Sequence, residues 1–140
     1  MKKKGFTLIE LLAVIVVLAV IALIATPIVL NLVKTAKIGA AEQSVTGYVK
    51  SIENTIIKDM INNKEVSDGN YKYNSIEADI SGKRPTSGKY TVKNGKVESG
   101  NFCVDGYTIE YKNGQSKKIS DTCEVLYQVY ENGTAIYFNP

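Results

Sequence analysis

Histidine and tryptophan are both missing from this chain of 140 residues. Without an imidazole there is no histidine-based acid–base chemistry and no histidine metal ligand. Cysteine occurs only at Cys103 and Cys123. Two thiols are too few for a zinc cluster but enough for one disulfide if they lie outside the cytosol. Positive charge is scarce as well. The net +3 is carried by Lys2, Lys3 and Lys4, because the other 14 of the 17 basic residues balance 14 acids. A near-neutral body offers no broad basic face, so no specific nucleic-acid partner is expected. No glycine-rich phosphate loop follows a strand, and no nucleophile–base pair or metal set stands out, so the sequence points away from an enzyme and from any cofactor.

What is present begins with an apolar run. From Phe6 to Ala25 only Thr7 and Glu10 are polar. Twenty helical residues rise about 30 Å, one hydrocarbon thickness. Lysines ahead of the run fit a cytoplasmic N-terminus. A secretory signal peptide wants small residues two apart at its cleavage site, and no two alanines of the run are so placed. A lipoprotein needs a cysteine there, and none is present. A plain anchor accounts for the length but not for Glu10, because a carboxylate inside hydrocarbon costs about 2.5–3.5 kcal/mol, less near the interface.

The helical pattern continues past the run. Ile38, Ala41, Val45, Val49, Ile52, Ile56 and Met60, with Tyr48, recur at spacings of three and four. That period predicts one helix from about Phe6 to about Ile61, roughly 84 Å long, whose second half has a single apolar stripe. Asn62-Asn63 and Asp68-Gly69 mark its end.

The stretch KKKGFTLIELLAVIVVLAVIALIATP resembles the N-terminus of class III signal-peptide proteins, the type IV pilins and their pseudopilin relatives. The match rests on the short basic leader ending in Gly5, then Phe6, Thr7-Leu8-Ile9, Glu10, the apolar run and Pro27, and covers about the first 30 residues. The resemblance implies a leader of residues 1–5, a pilin helix of 6–62 with 6–26 crossing the membrane, and a β-rich head of 63–140. It implies that a prepilin peptidase cuts between Gly5 and Phe6 and methylates the new Phe6 amine. It implies that Glu10 faces the N-terminal amine of a neighbouring subunit during assembly. A lone carboxylate in an apolar filament core is costly, whereas one paired with an ammonium is tolerable and fixes axial register. Pro27 removes one helical hydrogen bond and crowds the Leu23 carbonyl. It can act as a kink at the membrane surface, or as a place where the helix bends or melts on packing. Gly39 and Gly47 add weak points of about 1 kcal/mol each.

In the head, residues 62–88 read as a connecting loop with one short strand near Tyr71–Ile76. Asn94-Gly95, Asn113-Gly114 and Asn132-Gly133 are hairpin signals between alternating apolar residues. They predict an antiparallel sheet whose apolar face covers the helix stripe, an α+β architecture. Hairpin arithmetic also predicts a disulfide. If Lys112-Asn113-Gly114 is a three-residue loop, Tyr111 faces Gln115, and Cys103 faces Cys123 on the side of Tyr107 and Ile119. A two-residue turn pairs Lys112 with Gln115 and sends the sulfurs to opposite faces. The first register also sets Asp105 against Asp121, a like-charge pair. Asp105, Asp121 and Glu124 lack the calcium-loop pattern. Lys117-Lys118 reads as a solubilised strand, and Asn132-Gly133-Thr134 is a glycosylation sequon that a turn explains equally well.

The expected function is therefore structural: a filament subunit that polymerises with itself and other pilins. Its other partners are the prepilin peptidase, inner-membrane assembly machinery and, before assembly, membrane lipid. Such a chain is a single-pass cytoplasmic membrane protein first and part of an extracellular filament later. A pseudopilin of a secretion or DNA-uptake system is the alternative, and a surface binding protein that never polymerises is a further one.

Overall fold

A computed structural model describes residues 4–80, 82–123, 128–131 and 134–137. Helix α1 spans Leu8–Ile61. Strands follow at β1 Gly69–Lys72, β2 Ser87–Lys93, β3 Lys96–Val104, β4 Tyr107–Lys112, β5 Gln115–Ser120, β6 Gln128–Glu131 and β7 Thr134–Tyr137. The first five make one antiparallel sheet in chain order, and β6–β7 form a separate antiparallel pair. The chain divides into two compact units, Met1–Ala36 and Lys37–Pro140.

The helix ends where the asparagines stand. Asn63 takes a left-handed φ of 57°. The Lys64 amide then donates to the Asp59 carbonyl at 2.9 Å and the Asn63 amide to Met60 at 3.1 Å. These are the two bonds of a Schellman cap, which satisfy the last helical carbonyls.

The second half of α1 packs on the sheet through the stripe. Ala41, Val45, Tyr48, Val49, Ile52 and Ile56 are buried against Tyr90, Val92, Val97, Phe102, Val104, Ile109 and Tyr111. The stripe is shorter than the periodicity suggests, because Ile38 is half-buried and Met60 is 46 % exposed. Aromatic rings run through this core. Tyr71 stacks on Tyr90 and Tyr90 on Phe102, at 5.8 and 6.0 Å, while Tyr48 meets Phe102 edge-on at 5.7 Å. Gly100 leaves room for them. A Cβ there would lie 2.8 Å from the Tyr90 Cβ and 2.9 Å from the Lys89 carbonyl.

The helix also ties the sheet through carboxylates. Glu42 Oε1 accepts the Lys118 amide of edge strand β5 at 2.8 Å, and Glu53 Oε1 accepts the Val97 amide at 3.1 Å. Thr46 and Ser116 share a hydroxyl hydrogen bond of 2.7 Å beside the first. An open sheet edge is a template for unwanted pairing, and Glu42 occupies one of its donors. Glu42→Ala is expected to destabilise the head by about 1–3 kcal/mol, since it orphans a half-buried amide accepted by a charged group. Glu42→Gln keeps an acceptor and should lose less. Urea unfolding of both variants checks this, and equal loss would show that the charge rather than the acceptor matters.

Three sequence expectations need correction here. The short strand lies at Gly69–Lys72, not near Tyr71–Ile76. It stops because the chain turns. The Ser75 amide donates to the Lys72 carbonyl at 3.0 Å, and the Lys72 amide donates to Ser75 Oγ at 3.1 Å. The β4–β5 loop has two residues, not three, since Lys112 pairs with Gln115. Asn113 and Gly114 both hold positive φ, 51° and 83°. That is the type I′ geometry whose twist matches the strands.

The third concerns the faces. Residues 103–111 are not one strand, because Asp105 and Gly106 form another turn at φ 53° and 84°. Cys103 therefore sits in β3 opposite Thr108, and not on the Tyr107 side of the sheet. A disulfide nevertheless joins Cys103 to Cys123, with Cα atoms 5.5 Å apart. It reaches from β3, past β4, to the segment after β5. Phe102 and Val104 face the core, so Cys103 lies on the other face, in a row with Ser87 and Thr108. Thr108 Oγ1 donates to the Thr122 carbonyl at 2.6 Å and holds that segment across the strand. The expected Asp105–Asp121 clash does not arise. Asp105 meets Lys83 at 2.6 Å and Asp121 meets Lys118 at 2.8 Å. Ile119, displaced by a bulge opposite Thr108/Ile109, is 51 % exposed.

Strands β6 and β7 pair with Glu131 opposite Thr134. The third Asn-Gly signal, residues 132–133 with the sequon asparagine, lies outside the described residues, as do Lys2, Lys3, Glu124, Val125, Tyr127 and Phe138.

Candidate processing and assembly segment

The first unit is governed by how α1 begins. Lys4 to Thr7 are exposed and precede the helix, which starts at Leu8. Thr7 is its N-cap. The Glu10 amide donates to Thr7 Oγ1 at 3.3 Å. In return Glu10 Oε2 accepts the Thr7 amide at 2.8 Å and the Thr7 hydroxyl at 2.9 Å. This is a capping box, in which the cap residue and the acid three positions on satisfy each other's orphan donors. Both bonds to the carboxylate end on Oε2. Oε1 accepts no hydrogen bond among the described residues.

The capping box fixes two things at once. It fixes the helix start, so the Gly5–Phe6 bond stays outside the helix. It also gives Glu10 a local task in the single chain, which the reading of Glu10 as an anomaly overlooked. The signal was in the sequence, because Thr-x-x-Glu ahead of an apolar run is a helix-start pattern. Gly5 has no atom within 4 Å of where a Cβ would stand. Nothing among the described residues asks for glycine there. Phe6 is 86 % exposed.

Beyond the cap, every large apolar side chain from Leu8 to Val33 is at least 45 % exposed. By length and composition α1 can cross a membrane. Helical geometry continues through Pro27. The Thr26 hydroxyl donates to the Ala22 carbonyl at 2.6 Å, one residue from the Leu23 carbonyl that proline leaves without its amide partner.

Gly5, Phe6 and Glu10 thus meet at one helix start, whereas Pro27 lies almost five turns further along and Cys103 and Cys123 belong to the other unit. Among the described residues no group of histidine, cysteine, aspartate and glutamate could hold a metal.

The capped helix start and the exposed apolar first part of α1 fit a membrane-anchored precursor. Residues 1–26 match the family model of the prokaryotic N-terminal methylation motif, the class III signal-peptide motif of type IV pilins. The motif supports a precursor of the pilin or pseudopilin kind. No curated protein and no solved structure matches the chain.

Proposed function

We propose that this chain is the structural subunit of a type IV pilus-like filament. Residues 1–5 are a leader removed by a prepilin peptidase, which then methylates the Phe6 amine. Residues 6–62 are the pilin helix, with 6–26 in the membrane before assembly, and 63–140 form the head that the disulfide braces. The observation that carries this reading is that the methylation motif of residues 1–26 coincides with the exposed apolar start of α1. The apolar surface runs from Phe6 to Val33, about 42 Å at the helical rise, against about 30 Å of hydrocarbon. Tilt absorbs part of the excess in a bilayer. Packing among copies of the same helix buries all of it, and Pro27 lies in the excess, where bending costs least.

In such a filament Glu10 accepts the methylated Phe6 ammonium of a neighbour through Oε1. A pseudopilin of a secretion or DNA-uptake system uses the same chemistry, and electron microscopy of cell surfaces distinguishes a pilus from it. A surface protein that never polymerises leaves the excess apolar length without a role.

The test is the intact mass of the protein from membranes. It should start at Phe6 and be one methylene heavier than the unmodified peptide. Gly5→Leu should remain uncut and membrane-bound, because the added branch occupies the space the peptidase needs. A wild-type chain that keeps its leader, or a Gly5→Leu chain that is trimmed normally, overturns the assignment of this bond.

A further inference from the structure

The described residues of the connector 73–86 between β1 and β2 form neither helix nor strand, and connectors of this length in compact domains are usually either functional or linkers. It is not loose. Ser51 Oγ donates to the Asp79 carbonyl at 2.5 Å and Thr55 Oγ1 to the Glu77 carbonyl at 3.4 Å. The Tyr73 amide donates to the Gly88 carbonyl at 2.8 Å, and Lys83 grips both carboxylate oxygens of Asp105. Between this connector and α1 lies a cleft of about 280 Å³. Tyr48 and Tyr73 line it, with Asn74, Glu77 and Arg84.

This lining has a definite chemical character. Arg84 is the chain's single arginine, all its other basic residues being lysine. One guanidinium nitrogen donates to the Ala78 carbonyl at 3.2 Å, which aims the planar fork and leaves it further N–H donors. Asn74 supplies an amide donor and acceptor, and Glu77 an acceptor. Half-buried Tyr73 supplies a flat apolar face with a polar tip, while Tyr48 is packed in the core. Burial pushes the Tyr48 phenol up to about 12, with Arg84 opposing the rise, so Tyr48 is a neutral donor at any physiological pH. One cation and one anion nearly cancel, so the cleft selects for neither charge.

We propose that this cleft is a binding site for a neutral sugar ring. Such a ring has one apolar C–H face to lie on a tyrosine. Its neighbouring hydroxyls are paired donors and acceptors that planar Asn, Glu and Arg groups can grip two at a time. The volume suits a single hexose unit, and the pinned connector provides a largely formed site, which lowers the ordering cost of binding. The proposal does not depend on whether the chain assembles into filaments.

Isothermal titration of the full chain in detergent tests it, using D-glucose, D-galactose, N-acetyl-D-glucosamine and, as charged probes, D-glucuronate and inorganic phosphate. At least one neutral sugar should bind with millimolar or better affinity. Tyr73→Ala and Asn74→Ala should each weaken it at least tenfold. Asn74 is exposed, so its replacement leaves the fold intact even if Tyr73→Ala loosens the connector. Arg84→Lys should weaken binding as well, since an ammonium has no fork. No heat from any neutral sugar, or binding unchanged in Asn74→Ala and Tyr73→Ala, overturns the proposal. Glucuronate or phosphate binding tenfold tighter than every neutral sugar also overturns it, and makes the cleft an anion site at Arg84.

Discussion

Cells whose only copy of this chain carries Glu10→Ala are expected to cut the leader normally but to make no filaments. Two separate losses are involved, and they differ in size. Within one chain the substitution removes the capping box, in which Thr7 and Glu10 hold each other. Losing such a cap costs about 0.5–2 kcal/mol. In the proposed filament it also removes the anion that faces a neighbour's buried ammonium. Removing one partner of a buried pair costs about 3–5 kcal/mol, and that is a factor of roughly 10² to 5 × 10³ in each subunit addition. A polymer multiplies that factor at every step.

Glu10→Gln separates the two roles. A glutamine at the same position can still accept the Thr7 amide, so the cap survives, but the charge is gone. If pairing across subunits is the task of Glu10, Gln fails like Ala. Thr7→Ala makes the converse change, losing the cap and keeping the charge, and should leave filaments reduced rather than absent. Counting surface filaments by electron microscopy, with the mass of the membrane-held chain as the processing control, reads all three. Filaments restored by Gln and abolished by Thr7→Ala would reduce Glu10 to a helix cap.

How much of this the sequence discloses depends on the range of the interaction. The helix and its buried stripe are legible because a 3.6-residue period is a local property, and Asn63 even marks the cap. The Asn-Gly turns are legible for the same reason, since only residues tolerant of positive φ fit a two-residue hairpin. Asp105-Gly106 carries the same signal and is easily passed over when 103–111 is taken as one strand. Missing that turn moves Cys103 to the wrong face. Thr7-x-x-Glu10 is equally local and equally readable. By contrast, nothing near Glu42 or Glu53 announces that each will accept a sheet amide, because their partners, Lys118 and Val97, are brought up only by the folded head. The cleft at Tyr48 and Arg84 is of this second kind, assembled from a helix and a connector well apart in the chain.

The disulfide belongs to both kinds, and it supports the last prediction. Its two cysteines can be paired from the sequence, yet the register first used to pair them is not the one the chain adopts. Replacing both with serine is expected to lower the stability of the head by about 2–3 kcal/mol. The chain-entropy value for a loop of this length is about 3 kcal/mol, and the β3–β4 and β4–β5 hairpins already hold part of that loop closed. For a unit of about this size, the melting temperature should fall by roughly 10 °C. Thr108, which donates to the Thr122 carbonyl, sets the geometry of the bridging segment. Adding Thr108→Val to the serine pair should therefore cost a further 0.5–1.5 kcal/mol, the usual worth of one hydrogen bond. The charges on either side decide between the two registers. If Asp105 faced Asp121, neutralising either would relieve repulsion and stabilise the head. With Asp105 held by Lys83 and Asp121 by Lys118, Asp105→Asn and Asp121→Asn should instead be neutral or cost up to about 1 kcal/mol, as partly exposed pairs do. Thermal unfolding of the four variants, with and without reductant, provides the measurement. A gain in stability from either asparagine would restore the three-residue turn and set the cysteines back on facing strands of one hairpin.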